Sequence, residues 1–156
     1  MPQALPSAVP AALTPVSLVP SSRHVSVYGT LRAGGSNDIR RYRPAPQRVG
    51  DAVAQGTLFD LGAYPGLRLD GASAVIGEVY RIDARVEQAL DRLESVTRDD
   101  SGEYRKRSVV LDVRLGSSGR TERLDCLTYE IHPNRLAGRA SIPSGDWIAH
   151  LARLGD

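Results

Sequence analysis

Two places in the chain carry residue types whose spacing could do chemistry. The first is Tyr28-Gly29-Thr30-Leu31-Arg32. It closes an alternating, β-rich run, His24-Val25-Ser26-Val27-Tyr28, and the glycine stops that run. A strand that ends in Gly-Thr and passes into a loop presents main-chain N–H groups with no strand partner. Such groups can hold a carboxylate or a developing oxyanion. An ordinary strand-to-loop turn uses the same residues, so spacing alone leaves both readings open. The second place is Glu94. On a helix read over Arg85 to Ser95, a turn of about 100° per residue puts Glu94 about 40° from Leu90. It stands beside the apolar stripe of Val86, Leu90 and Leu93, not opposite it. A carboxylate at that edge is partly desolvated, and desolvation raises its pKa. A raised pKa suits a group that takes and returns a proton near neutrality. The competing reading is a flank glutamate that reaches water or pairs with an arginine. Glu87, on the same flank, is the residue to compare.

Other chemistries lack their patterns. The three histidines, His24, His132 and His150, and the single cysteine, Cys126, offer no metal-ligand spacing. His132 precedes Pro133 in a loop and His150 lies in a terminal helix, so both read as structural or exposed. Cys126, between Asp125 and Leu127, reads as a buried core thiol with no adjacent basic residue to activate it. One cysteine allows no intrachain disulfide. No GxSxG elbow, GxxxxGK[ST] loop or full GxGxxG is present.

The elements that must position these residues can be read from periodicity. After the first strand, Thr30 to Ser36 is a loop, and Asn37 or Asp38 can cap a short helical turn over Ile39–Tyr42. Val49 to Asp60 contains a second strand, best at Thr57-Leu58-Phe59, and Asp60 to Gly66 is dense in turn formers and reads as a loop. Ala74 to Ile82 is another strand, with Gly77 marking a bulge or a close backbone approach. Asp83 can cap the helix that carries Glu94. Tyr104–Leu115 and Thr121–Ile131, joined across Gly116-Ser117-Ser118-Gly119, form an antiparallel hairpin. Asp146 caps a last helix, Trp147 to Leu154. Strands dominate without strand–helix alternation, which argues against a doubly wound parallel sheet. The expected fold is α+β, on a curved or barrel-like mixed sheet flanked by helices.

Length and charge narrow the class. A chain of 156 residues fits one domain that needs no disulfide or metal to hold together. Twenty basic against eighteen acidic residues leave a net charge of +2, too small a footprint for nucleic acid. The clusters Arg40, Arg41, Arg43 and Arg105, Lys106, Arg107 are not interleaved with aromatics, and read as solvated strand or loop charge. The first twenty residues hold Pro2, Pro6, Pro10, Pro15 and Pro20 and no Lys or Arg, unlike a signal peptide or a membrane helix. Residues 1–22 are therefore expected to be an Ala/Pro-rich disordered tail before a domain over 23–156. No other stretch is long and apolar enough to span a membrane, so the expected location is the cytoplasm. With no long apolar stripe left once the central helix packs, a monomer is expected.

Several motifs then coincide in order, and the chain resembles the gamma-glutamylcyclotransferase-like family. Val27-Tyr28-Gly29-Thr30-Leu31-Arg32 matches the family's opening motif, and Gly35-Ser36-Asn37 its glycine/asparagine loop. Gly56-Thr57-Leu58 and Tyr64-Pro65-Gly66 resemble its GxL strand and YPG turn. Gly77-Glu78-Val79-Tyr80 resembles its GEVY strand, and Leu90-Asp91-Arg92-Leu93-Glu94 its LDxxE helix, whose glutamate is catalytic. Tyr104, Arg105 and Arg107 resemble the following YxR strand, and Ile142 to Trp147 the closing segment of many bacterial members. The resemblance runs from His24 to Trp147. Ser95 departs from it, standing where a glycine is common.

The resemblance implies a small mixed β-barrel flanked by helices. It implies an enzyme of lyase or acyltransferase type that releases 5-oxoproline and a free amine from a γ-glutamyl amine, by attack of the substrate's own α-amine, with no cofactor or metal. By matching position, Glu94 would carry the proton. The backbone of Tyr28, Gly29, Thr30 and Leu31 would bind the α-carboxylate or oxyanion, and Tyr104 would be a hydrogen-bonding wall. The partner implied is a small γ-glutamyl substrate, with neither nucleic acid nor membrane. A non-catalytic small-molecule binding module on the same fold is the alternative.

Overall fold

The computed structural model describes residues 22–155. The segment read as a tail lies, apart from Ser22, outside the described residues. Among the described residues there are seven strands: β1 (Arg23–Val27), β2 (Gln47–Gln55), β3 (Thr57–Asp60), β4 (Pro65–Arg68), β5 (Ala74–Ile82), β6 (Tyr104–Leu115) and β7 (Thr121–Ile131). Helix α1 covers Ala84–Leu93 and α2 covers Trp147–Leu154. One-turn 3-10 helices lie at Ile39–Arg41 and Pro133–Arg135.

The strand order is β1-β5-β2-β6-β7, and β7 returns to pair with β1, so five strands close into a barrel. The closing pair is parallel, with His24 opposite Cys126 and Val25 opposite Leu127; the other barrel pairs are antiparallel. Further along, the same edge of β7 takes β4 in parallel at Leu67 and Glu130, and β3 pairs with β4 as a flap beside the barrel. The expected mixed barrel flanked by helices is what the chain forms. The expected hairpin is also present, as β6 paired with β7 from Tyr104–Ile131 to Arg114–Thr121.

Apolar side chains sort into three packed groups. One joins α1 to the sheet through Val86, Leu90, Val25, Tyr80, Tyr129 and Ile131. A second seats α2 on the flap through Trp147, Ile142, Leu58, Leu67 and Val75. A third unites Ala52, Ala54, Val79, Leu111, Val113 and Cys126. Burial pushes the Cys126 thiol up to about 11, so it is an inert core group.

Three local expectations are corrected. The single strand sought in Val49–Asp60 is two, β2 and β3, parted at Gly56, whose N–H donates to Ser73 O at 2.8 Å. The loop read over Asp60–Gly66 gives way to β4 at Pro65, because this proline begins a strand and the ladder needs no N–H from it. Nor is the surface left without an apolar stripe once α1 packs: Leu93 of the α1 stripe stays exposed, and so do Ile148, Leu151 and Leu154 along α2. At Gly77 the close-approach reading holds, since a Cβ there would stand 3.1 Å from the Val27 main-chain O as well as 2.8 Å from Ser26 Oγ; the bulge lies in β2, between Arg48 and Gly50.

Candidate active site

Helix α1 begins at Asp83, whose carboxylate accepts the N–H groups of Arg85 and Val86, both at 3.0 Å. It ends one residue before Glu94, which is the C-cap and not a helical residue as expected. The ending is a Schellman motif: Val96 N–H donates to Asp91 O at 2.9 Å and Ser95 N–H to Arg92 O at 3.2 Å. Ser95 sits at φ 54, the left-handed region that favours glycine, which gives the expected departure at this position a physical meaning. Glu94 N–H donates to Leu90 O at 2.9 Å, and its carbonyl accepts Tyr104 N–H at 3.3 Å. The residue is thus held between the end of α1 and the start of β6.

Its carboxylate lines a cleft of about 160 Å³. Glu94 shares that cleft with Tyr28, Gly29, Thr30, Leu31 and Tyr104. Every candidate site residue read from the sequence is therefore brought to one place, from β1 and its loop, the end of α1 and the first residue of β6. Burial, aided by the nearby charge of Glu103, pushes the Glu94 carboxyl up to about 7. Among the described residues no donor or cation pairs with its oxygens. Glu87 is the opposite case: it takes Lys106 Nζ at 2.6 Å and Arg23 at 3.4 Å, the paired flank glutamate of the competing reading.

The loop after β1 is fastened from outside the cleft. Buried Glu78 on β5 accepts Arg32 Nε at 3.0 Å, Ala33 N–H at 2.9 Å and the Tyr80 hydroxyl at 2.8 Å. Arg32 also reaches Asp146, the N-cap of α2, at 2.9 Å. Within the loop, carbonyls turn into the structure: Gly29 O accepts Arg32 N–H, Thr30 O accepts Asn37 N–H and Leu31 O accepts Ile39 N–H. Among the described residues no protein acceptor takes the N–H of Gly29, Thr30 or Leu31. These three consecutive donors stand along the cleft wall. Gly29 is required by packing, since a Cβ there would lie 2.6 Å from Pro65 Cγ.

The tyrosines frame the cavity through structural hydrogen bonds. Tyr28 Oη donates to Tyr129 O at 2.7 Å and accepts Leu67 N–H at 3.2 Å. Tyr104 Oη donates to Pro65 O at 2.6 Å. Burial, with the Glu94 charge, holds both phenols well above their ordinary pKa. Tyr104 is therefore a wall whose proton is committed to the backbone of β4. Two residues escaped the sequence reading. Tyr129 closes the cavity from β7 and donates to Asp91 at 2.7 Å. Glu103 brings a second carboxylate into the cleft and accepts the Tyr64 hydroxyl. Neither stood in a pattern; Glu103 only precedes the YxR strand.

A closed mixed barrel with a small cleft at the end of β1, lined by a largely buried carboxylate and by main-chain N–H groups that no protein acceptor takes, defines an α+β fold with a candidate small-molecule site. Residues 25–149 match the family described as gamma-glutamyl cyclotransferase, AIG2-like, and the chain belongs to that family. A relative from Vibrio cholerae serotype O1 is 46% identical over 74 residues, 46% of this chain and 62% of that protein. The gamma-glutamylcyclotransferase family protein YtfP of Escherichia coli (strain K12) is 31% identical over 125 residues, 80% of this chain and 95% of its own. The solution structure of YtfP resembles this fold with a TM-score of 0.55 at 29% identity, covering 81% of this chain and 97% of that one. The crystal structure of YkqA from Bacillus subtilis is similar in fold, with a TM-score of 0.59 at 24% identity, over 83% of this chain and 40% of that one. The match thus spans less than two thirds of the Vibrio relative and less than half of YkqA.

Among the described residues no helix is long and apolar enough to cross a membrane, and no group of His, Cys, Asp and Glu could hold a metal ion. Arg105 and Arg107 pair with Glu130, and Lys106 with Glu87 and Asp91, so this basic cluster is matched by carboxylates.

Proposed function

We propose that the chain is a cyclotransferase that cleaves a γ-glutamyl amine by intramolecular aminolysis, giving 5-oxoproline and a free amine. The observation that carries this reading is Glu94: a carboxylate without a cation, raised to about 7, in a cleft that also presents unpaired N–H groups. The carboxylate takes a proton from the substrate's α-ammonium. The freed amine attacks the γ-carbonyl carbon, closing a five-membered ring. The N–H groups of Gly29, Thr30 and Leu31 receive the α-carboxylate or the oxygen that gains charge. The amide C–N bond then breaks as protons pass through Glu94 to the departing nitrogen. The α-nitrogen sheds two protons to become the lactam N–H, and the leaving nitrogen gains two to become an ammonium, so Glu94 ends as it began. Holding the folded conformer and moving protons is all the protein must supply, because the nucleophile comes with the substrate.

The test is release of 5-oxoproline, read by mass spectrometry, from a panel of γ-glutamyl amines. Glu94→Gln, shown to be folded by circular dichroism, is expected to lower the rate by at least about 100-fold. Glu87→Gln is expected to stay within about threefold of the parent, its partner Lys106 keeping Asp91. Full activity in Glu94→Gln would remove the assigned proton carrier. A silent panel with retained ligand binding would favour the non-catalytic module.

A further inference from the structure

Arg105 and Arg107 of β6 lean on Glu130 of β7, and Arg68 of β4 brings a third guanidinium to the same carboxylate. None of these four residues lines the Glu94 cleft. Glu130 is nine-tenths buried by side-chain area, and both of its oxygens are engaged. Oε2 accepts Leu69 N–H at 2.9 Å, and Oε1 accepts Arg107 Nε at 3.2 Å and Arg105 Nη2 at 3.4 Å. Arg68 Nε stops at 3.7 Å, beyond hydrogen-bond reach. Among the described residues one other carboxylate lies within ion-pair distance of the three arginines: half-exposed Asp100, 3.0 Å from Arg107 Nη1. Three guanidiniums thus meet two carboxylates, and one positive charge is left over.

The surplus of donors is larger than the surplus of charge. A guanidinium carries five N–H groups in a fixed fork. Among the described residues the Arg68 side chain makes no hydrogen bond, and Arg105 makes only the long one to Oε1. The Nε of each is sealed from water and has no partner. Buried polar atoms nearly always have one. Three side-chain atoms among the described residues are left in that condition, and two of them stand at this carboxylate; the third is His150 Nδ1. Water reaches the exposed parts of Arg68 and Arg107 but not these two atoms. Guanidinium charge is delocalised over all three nitrogens, so an anion held on the Nη edges compensates the whole group, sealed Nε included.

We propose that Arg68, Arg105 and Arg107 form a binding site for a tetrahedral oxyanion, a phosphate or sulfate group, separate from the Glu94 cleft. Guanidinium forks match the oxygens of such groups. A tetrahedral ion offers a separate oxygen to each of three guanidiniums arriving from two strands, whereas a carboxylate has only two oxygens to share. Its charge takes up the surplus that Glu130 and Asp100 leave. Binding also secures a thin join in the fold. The ladder between β4 and β7 is the single pair Leu67 and Glu130. An anion shared by Arg68 on β4 and by Arg105 and Arg107 on β6 clamps the flap to the barrel.

The test is calorimetric titration of inorganic phosphate into the full chain at fixed ionic strength, with chloride as the balancing ion, repeated with sulfate and with phenyl phosphate. One ion should bind per chain. Arg68→Gln and Arg105→Gln should each weaken binding by about 10- to 100-fold, the size of a lost charged hydrogen bond. The Arg68 side chain satisfies no protein acceptor, so Arg68→Gln should unfold close to the parent's denaturant midpoint in phosphate-free buffer. Arg120→Gln, which removes an exposed arginine beside the β6–β7 turn, should bind as the parent does. Saturating phosphate should raise the parent's thermal midpoint and slow hydrogen exchange at the Leu69 amide, and should do neither in Arg68→Gln.

Tighter binding of phenyl phosphate than of inorganic phosphate assigns the site to a group carried on a larger molecule, and the reverse order assigns it to the free ion. No binding of any of the three at millimolar concentration overturns the proposal. So does binding that survives in both arginine variants, which would put the anion elsewhere, as on the loop N–H groups of the Glu94 cleft. An equal loss in Arg120→Gln would make the effect one of general positive charge and overturn it too. Binding is read without turnover, so the result stands whatever the γ-glutamyl amines show.

Discussion

At the scale of the residue, one carboxylate sets both the chemistry and a cost. Glu94 is raised from the ordinary glutamate range to about 7, first by burial and then by Glu103. As a base it must be ionised, so kcat/KM should rise with pH along an acid limb centred near 7. Glu103→Gln removes the smaller of the two causes and should move that limb to lower pH, read on any γ-glutamyl amine that the parent turns over. The same shift bears on stability. In the unfolded chain Glu94 ionises near the ordinary glutamate value of 4.5, before it does in the folded state. Between about pH 4.5 and 7 the native state therefore binds more protons, and this contribution to stability is lost as pH rises through that window. Glu94→Gln should unfold at higher denaturant at pH 8 than the parent, by about 1–3 kcal/mol, and differ little at pH 4. An equal effect at both values would mean that the carboxylate is not perturbed by folding. Periodicity placed this residue beside the apolar stripe but placed Glu87 on the same flank, so it was the resemblance of Leu90-Asp91-Arg92-Leu93-Glu94 to the LDxxE helix that singled Glu94 out. Glu103 was not singled out, because a carboxylate just before a strand has no pattern until the strand's partners place it in the cavity.

At the scale of the element, what could be read followed the strength of local signals. The α1 stripe of Val86 and Leu90, the Asp83 cap and the long alternations of β6 and β7 each contain enough residues to identify themselves. β4 does not: Pro-Gly-Leu-Arg looks like a turn, and becomes a strand through its distant partners, the ladder with β3 and the bridge to β7, with Tyr28 and Tyr104 holding Leu67 N–H and Pro65 O at the end of the barrel. The last turn of α1 was misjudged for a related reason. Glu94 and Ser95 continue the helical spacing, but Val96 packs back onto the core and the chain must leave the helix to let it. That exit puts Ser95 in the left-handed region, which costs a residue with a Cβ about 1–2 kcal/mol. Glycine avoids this cost and loses part of the gain to unfolded-chain entropy. Ser95→Gly should therefore stabilise the protein by about 0.5–1 kcal/mol in urea unfolding, with the Glu94 acid limb unchanged. Destabilisation would show that the serine side chain contributes more than its backbone costs.

At the scale of the whole molecule, the cleft exists because distant parts of the chain are tied behind it. The donors at Gly29, Thr30 and Leu31 lie on a loop with little apolar surface of its own beyond Leu31. What fixes that loop is buried Glu78, two strands away in the barrel order from β6, together with Asp146 at the start of α2. Both carboxylates grip the one guanidinium of Arg32, so barrel, loop and terminal helix meet at a single group. Glu78 also takes Ala33 N–H and the Tyr80 hydroxyl, leaving it no need of a ligand. Its place in the GEVY stretch is thus that of an anchor, and it should act on the reaction only through the loop. Glu78→Gln keeps the shape but replaces one acceptor oxygen by an NH2, which then faces either Arg32 Nε–H or Ala33 N–H and leaves a buried donor opposed. It should lower stability by about 2–4 kcal/mol. In the still-folded protein kcat/KM should fall for every γ-glutamyl donor alike, with the acid limb still near pH 7, because the misplaced loop N–H groups serve the part of the substrate that all donors share. Asp146→Asn, which touches the same guanidinium from the far side, should show the same pattern in weaker form. A fall confined to one leaving group, or a moved acid limb, would instead put Glu78 in contact with the reacting atoms.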